Sequence, residues 1–85
     1  MIVVRCLGHI GTSVGAEEVT LEGSELSGPE IVERLRSISG KEDPGFTRFN
    51  TLLLVEDGEA FVPATGGKKV KSGERTVLIP FSHGG

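Results

Sequence analysis

The first quarter of the chain has the pattern of two strands joined by a loop. Residues 2–7 form a short apolar run rich in β-branched side chains, which is typical of a buried strand. From residue 18 to residue 22 polar and apolar positions alternate, which predicts a second strand with one face in water. Between them, residues 8–15 contain three glycines, and we interpret this segment as a loop. The two strands are therefore expected to pair antiparallel.

A single amphipathic helix is predicted next. Ser27 and Glu30 have the spacing of a capping box, and Pro29 stands in the first turn, where its missing N–H is harmless. Gly40 marks the expected end of the helix. Glu30 and Arg34 have the spacing of an ion pair on the outer side. The apolar stripe expected to face a sheet consists of Ile31, Leu35 and Ile38.

The second half of the chain predicts further strands. Apolar runs at residues 52–55 and 60–62 flank Asp57-Gly58, a strong signal for a tight hairpin. Residues 68–71 could add a short charged edge strand, and residues 75–79 form a last buried strand that ends at Pro80. The predicted order is ββαββ(β). It indicates an α+β fold with a mixed sheet of four to five strands and one main helix packed on one face.

Composition narrows the class of protein further. With 85 residues the chain is expected to be one small domain over residues 1–81, followed by a flexible tail at residues 82–85. A net charge of −3 argues against nucleic acid as a partner. The N-terminus has neither the length of a membrane span nor the basic start of a signal peptide, so we expect no membrane association and a cytoplasmic location.

The titratable and nucleophilic residues do not form the pattern of an enzyme site. Cys6 is the only cysteine, which excludes an internal disulfide, and its place within a strand predicts a buried apolar role rather than a nucleophile. His9 and His83 have no third ligand at a recognisable spacing, so no metal site is predicted. We expect a chain that catalyses nothing by itself.

The chemistry is expected at the end of the sequence, Gly84-Gly85. A carboxylate on Gly85 has no Cβ to block attack at its carbonyl carbon or entry into a narrow channel. A carboxylate must first be activated, as an acyl-adenylate, before a sulfur nucleophile can attack it. The domain would then be the substrate that a partner enzyme activates.

The chain resembles the β-grasp sulfur carriers MoaD and ThiS over essentially its whole length. Residues 73–80 are similar to the closing turn, strand and proline of MoaD, and Gly84-Gly85 follow at the same interval. The resemblance implies a β-grasp, ubiquitin-like fold and the role of a non-catalytic small subunit or co-substrate. It implies that Gly85 is adenylated and becomes a thiocarboxylate, while Gly84 gives the tail the flexibility and slimness to enter partner sites.

The same resemblance implies the partners and the acceptor of the sulfur. The expected partners are an adenylating enzyme of the MoaB, MoeB or ThiF type, which uses ATP and Mg²⁺, and the large subunit of molybdopterin synthase. No cofactor is expected on this chain itself. The function implied is sulfur donation in molybdenum cofactor biosynthesis, with thiamine synthesis or tRNA thiolation as alternatives.

Two positions near the end depart from the MoaD pattern. Phe81 stands where many members have a second proline, and His83 stands where they have a small or aliphatic residue. The ending His83-Gly84-Gly85 is similar to that of the ubiquitin-related modifier, so conjugation to lysines of other proteins is an alternative function. A ligand-binding or adaptor module is a third. We expect Pro80, Phe81 and His83 to contact partners, although Phe81 could equally be a core residue.

Overall fold

The computed structural model describes residues 1–64 and 67–81. In chain order the elements are β1 (Ile2–Cys6), α1 (His9–Val14), β2 (Glu18–Leu21), β3 (Glu25–Ser27), α2 (Gly28–Ser39), β4 (Thr51–Asp57), β5 (Ala60–Pro63), β6 (Lys69–Lys71) and β7 (Arg75–Pro80). The tail predicted at residues 82–85 lies outside the described residues.

Five strands form one mixed sheet in the order β2-β1-β7-β4-β5. The first and last strands of the chain are neighbours and run parallel, with Val4 opposite Thr76. The other pairings are antiparallel, including the predicted pairing of the first two strands and the hairpin around Asp57-Gly58. The α+β prediction, with its mixed sheet and one main helix, is confirmed.

Helix α2 begins and ends where the sequence indicates. The Ser27 Oγ accepts a hydrogen bond from the Glu30 N–H (3.3 Å), and the Glu30 carboxylate accepts one from the Ser27 N–H (3.1 Å). Hydrogen bonds to Ser27 lower the pKa of the Glu30 carboxyl. The bond with the Ser27 backbone has the larger effect, and the bond with the Ser27 side chain has the second largest. Gly40 closes the helix in the left-handed conformation, at φ 69°. The capping box therefore fixes the first turn as predicted.

Two details of the predicted helix are wrong. Ile31 and Leu35 are buried, but Ile38 is 48% exposed, and Val32 takes its place in the core. The Arg34 guanidinium donates to the Glu22 carbonyl oxygen (2.7 Å) instead of pairing with the Glu30 carboxylate, which the helix cap occupies. The buried face therefore follows the i, i+1, i+4 positions at the start of the helix.

The predicted loop at residues 8–15 is wrong, because α1 lies within it. This helix buries Ile10 and Ser13, and the Ser13 hydroxyl donates to the Pro44 carbonyl oxygen (2.7 Å). Gly8 and Gly15 flank the helix at φ 58° and 88°. A Cβ on Gly11 would lie 2.7 Å from the Cys6 carbonyl oxygen, so this glycine permits close packing of α1 on β1.

The charged edge strand predicted at residues 68–71 is confirmed as β6, but its partner was missed. It pairs antiparallel with β3, a strand not predicted from the sequence, in a separate two-stranded sheet. The Lys69 ammonium lies 3.7 Å from the Glu25 carboxylate across this pair. The small sheet leads directly into α2, because Ser27 is both the last residue of β3 and the helix cap.

The core lies between α2 and the inner face of the large sheet. It consists of Ile2, Val4, Cys6, Ile10, Leu21, Leu26, Ile31, Val32, Leu35, Phe46, Leu53, Val55, Val70 and Leu78. The buried apolar role predicted for Cys6 is confirmed, since the residue is 2% exposed.

Candidate functional site

Strand β7 carries the chain to one end of the sheet. Its last residue, Pro80, lies opposite Thr51 at the start of β4. The Phe81 N–H then donates to the Asn50 carbonyl oxygen (2.8 Å). The chain therefore leaves the sheet beside the segment that precedes β4, and this point is the root of the last four residues.

The structure gives the positions of two of the predicted partner-binding residues. Pro80 is exposed, and its ring lies 3.2 Å from where a Cβ on Gly8 would be. Phe81 is 46% exposed, so it is not a core residue. Contact of these residues with a partner stays a prediction. His83, Gly84 and Gly85 lie outside the described residues.

A tight turn at residues 47–50 borders this root. The Thr47 N–H donates to the Asn50 Oδ1 (2.7 Å), and the Phe49 N–H donates to the Thr47 Oγ1 (3.1 Å). The Thr51 hydroxyl closes the turn by donating to the Thr47 carbonyl oxygen (2.7 Å). Phe46, just before the turn, is buried in the core. Side-chain bonds and one buried ring thus hold this turn in a single geometry.

The turn presents two side chains to solvent. Phe49 is 71% exposed, and the guanidinium carbon of Arg48 lies 4.7 Å from the centroid of its ring. Such a stack keeps the cation over the aromatic face. Beside it runs a groove of about 270 Å³ whose wall includes Gly28, Pro29, Val32 and Leu52. We name the two side chains and this groove the Arg48–Phe49 site.

Sequence reasoning missed the Arg48–Phe49 site. A phenylalanine between polar turn residues was the signal that could have indicated it, because turns are rich in small and polar residues and a large apolar side chain among them is unusual. Thr47 and Asn50, spaced as turn residues that bond their own backbone, were the second signal.

The outer face of the large sheet is the second exposed apolar surface. Residues opposite one another on β7 and β4 share this face, and their half-buried side chains form an apolar band. The band consists of Leu52, Leu54, Val77 and Ile79. At the far end of the face a depression of about 280 Å³ is bordered by charged side chains and by the exposed Phe61. The charged residues are Arg5, Glu18, Glu56 and Arg75.

Among the residues that the structure describes, the buried thiol and the acidic side chains were the remaining candidates for a chemical site. Burial raises the pKa of the Cys6 thiol, which keeps it protonated and out of reach. Within residues 1–64 and 67–81, no three His, Cys, Asp or Glu side chains are grouped so that they could hold a metal ion. No helix in the described part of the chain is long and apolar enough to cross a membrane.

Comparison with known proteins defines the fold. No protein-family model matches the chain, and no curated protein matches it significantly. Among solved structures, the chain is similar to SAMP1 from Haloferax volcanii, with a TM-score of 0.61 and 17% sequence identity. The match covers 99% of this chain and 98% of that one. The fold is therefore the β-grasp, ubiquitin-like fold over the full length of the domain.

Proposed function

We propose that this chain is a ubiquitin-like sulfur carrier that reacts through the carboxylate of Gly85. The observation that supports the proposal is the exit of β7. The strand ends at the exposed Pro80, the Phe81 N–H donates to the Asn50 carbonyl oxygen, and the next residues of the sequence lead to Gly84-Gly85. A β-grasp fold with this ending is also the basis of the resemblance to MoaD and ThiS.

The proposed reaction uses the chain as a co-substrate. In the adenylating partner a carboxylate oxygen of Gly85 attacks the α-phosphorus of ATP, and pyrophosphate leaves with Mg²⁺. A hydrosulfide ion then attacks the acyl carbon, AMP leaves, and the product is a thiocarboxylate. The chain contributes the carboxylate and an unhindered approach, while ATP, Mg²⁺ and the sulfur donor belong to the partner.

The folded domain contributes the binding energy. One carboxylate on a short segment cannot provide much affinity, so the partner must contact a surface near the root. The apolar band of the sheet lies beside β7, and Phe81 stands at its end. We propose that the adenylating enzyme covers this band, with Phe81 at the side nearest to its active site.

The acceptor that we propose is a molybdopterin precursor held by the large subunit of molybdopterin synthase. The support is the similarity of residues 73–80 and of Gly84-Gly85 to the end of MoaD. A thiazole precursor or a tRNA base would use the same thiocarboxylate, since each requires only an electrophilic carbon that accepts sulfur.

A second candidate function is protein modification. The ending His83-Gly84-Gly85, similar to that of the ubiquitin-related modifier, favours it. In this case a lysine amine attacks the acyl carbon of the Gly85 adenylate, AMP leaves, the nitrogen loses a proton, and an isopeptide bond remains. Both functions begin with the same adenylate, so only the product separates them.

Intact mass spectrometry separates the two candidates. The chain is incubated with a MoeB- or ThiF-type enzyme, ATP, Mg²⁺ and sulfide, with and without a lysine-rich acceptor protein. We expect the mass of the free chain to rise by the difference between sulfur and oxygen. Conjugates to the acceptor without a thiocarboxylate would favour the modifier, and an unchanged mass in every mixture would exclude both functions. A chain that lacks Gly85 is the matched control.

A further inference from the structure

The Arg48–Phe49 site presents an aromatic ring and a cation together on an exposed turn. The ring of Phe49 keeps most of its surface in water even though Phe46, three residues earlier, supplies the anchor of the segment in the core. Aromatic and arginine side chains are the residues most enriched at the centres of protein interfaces. Their pairing on one exposed turn therefore indicates an interface.

Hydrogen bonds within the domain brace the turn. Three side-chain hydrogen bonds of 2.7 to 3.1 Å connect Thr47, Phe49, Asn50 and Thr51, and the Asn50 N–H also donates to the Thr47 carbonyl oxygen (3.3 Å). A side chain presented from a fixed backbone loses less conformational entropy on binding than one on a flexible loop. The geometry is that of a preorganised binding surface.

The charge of the site indicates the chemistry of its partner. Among the residues that the structure describes, the ion pairs within 4.0 Å are Arg36–Glu33 and Lys69–Glu25, so Arg48 has no carboxylate partner there. The chain as a whole is acidic, with a net charge of −3. A guanidinium beside an apolar groove complements a segment that carries a carboxylate next to an apolar side chain.

We propose that the Arg48–Phe49 site binds an acidic, apolar segment of the adenylating enzyme. The apolar side chain of this segment enters the groove next to Pro29 and Val32, and its carboxylate pairs with the Arg48 guanidinium above the ring of Phe49. The identity of the partner rests on the proposed function. The site meets the apolar band at Leu52, which belongs to both, but its other parts are the turn before β4 and the start of α2.

The position of the site explains what such a contact would achieve. Asn50, the last residue of the turn, accepts the hydrogen bond of the Phe81 N–H (2.8 Å). A partner that holds the turn therefore also fixes the root of the reacting end relative to its own active site. Orientation of this kind makes the attack of the Gly85 carboxylate effectively unimolecular.

The test measures affinity for a MoeB- or ThiF-type adenylating enzyme from the same genome, by calorimetry with the full-length chain. We expect Arg48→Glu and Phe49→Ala each to raise the Kd about tenfold or more. Lys41→Glu makes the same change of charge at an exposed position away from the turn, and Ile38→Ala removes an exposed apolar side chain from α2. We expect both controls to bind within about twofold of the natural chain. Thermal unfolding verifies that each variant is folded.

The outcomes separate this inference from the proposed function. If the natural chain binds and is adenylated, but either Arg48→Glu or Phe49→Ala binds as tightly, the inference is overturned and the proposed function stands. If the natural chain neither binds nor is adenylated, both are overturned. As a further check, the Kd of the natural chain should depend more steeply on salt than that of Arg48→Glu, because the variant lacks the attractive charge.

Discussion

Cys6 is a thiol that the fold keeps from water. It occupies an inward position of β1, and burial raises the pKa of its side chain above the ordinary value. The neutral thiol is thus the form that the folded state accommodates. In the unfolded chain the same group titrates near its usual pKa of about 8.5.

We predict that this difference makes stability depend on alkaline pH. Below a pH of about 8.5 the thiol is neutral in both states, and its contribution to the free energy of unfolding is complete. Above that pH the unfolded chain loses the proton while the folded protein retains it, so stability falls as the pH rises. Urea unfolding of the natural chain and of Cys6→Ala measures the effect. If the free energy of unfolding fell equally steeply with pH in both proteins, the prediction would be contradicted.

Phe81 is the exposed apolar residue closest in sequence to Gly85, the residue that we propose reacts. We predict that Phe81→Ala weakens binding to the adenylating enzyme by about 1–3 kcal/mol, the range of a moderate hot spot, because the ring loses its contacts in the interface. The loss of thermal stability should be small, since 46% of the residue is already exposed. A large fall in melting temperature with unchanged affinity would show that the ring has a structural role.

At the scale of elements, the glycines within and beside α1 have two functions. Gly8 and Gly15 adopt the positive φ angles of the helix boundaries, whereas Gly11 lies inside the helix, where it packs against the Cys6 carbonyl. A glycine count cannot distinguish these functions from a flexible loop. For this reason the sequence predicted no helix between the first two strands.

We predict that Gly11→Ala destabilises the protein by about 1–3 kcal/mol, because the added Cβ would meet backbone atoms that cannot move independently. Gly67→Ala is the matched control, since a Cβ there meets no atom of the described residues within 4 Å. Chemical denaturation of both variants measures the difference. Equal stabilities would mean that α1 shifts to accept the methyl group.

The elements that were predicted correctly have signals that lie within the element itself. The capping box and Gly40 define α2, and Asp57-Gly58 defines the β4–β5 hairpin.

β3 was missed because three residues are too few to show a hydrophobic period, and it becomes a strand only by pairing with β6. The exposure of Ile38 and the position of the turn at residues 47–50 likewise depend on packing between distant segments. The role that we propose for Gly84-Gly85, in contrast, was predicted from these two residues alone and needs no knowledge of the fold.

At the scale of the whole molecule, the parallel pairing of β1 and β7 places Met1 and the end of β7 at opposite ends of the sheet. The Met1 carbonyl accepts a hydrogen bond from the Gly73 N–H (3.1 Å), just before β7 begins. β7 then runs the length of the sheet to Pro80. Met1 and Phe81 therefore lie at opposite ends of the sheet, and a partner can approach the root without touching the N-terminus.

Gly85 is the residue that we propose reacts. The most direct test of this claim is the exchange of labelled pyrophosphate into ATP by a MoeB- or ThiF-type enzyme, with the full chain and with a chain that lacks Gly85. We predict exchange only with the full chain, and equal melting temperatures for both, because the buried core of the described residues ends at Leu78. Undiminished exchange with the shortened chain would contradict the claim.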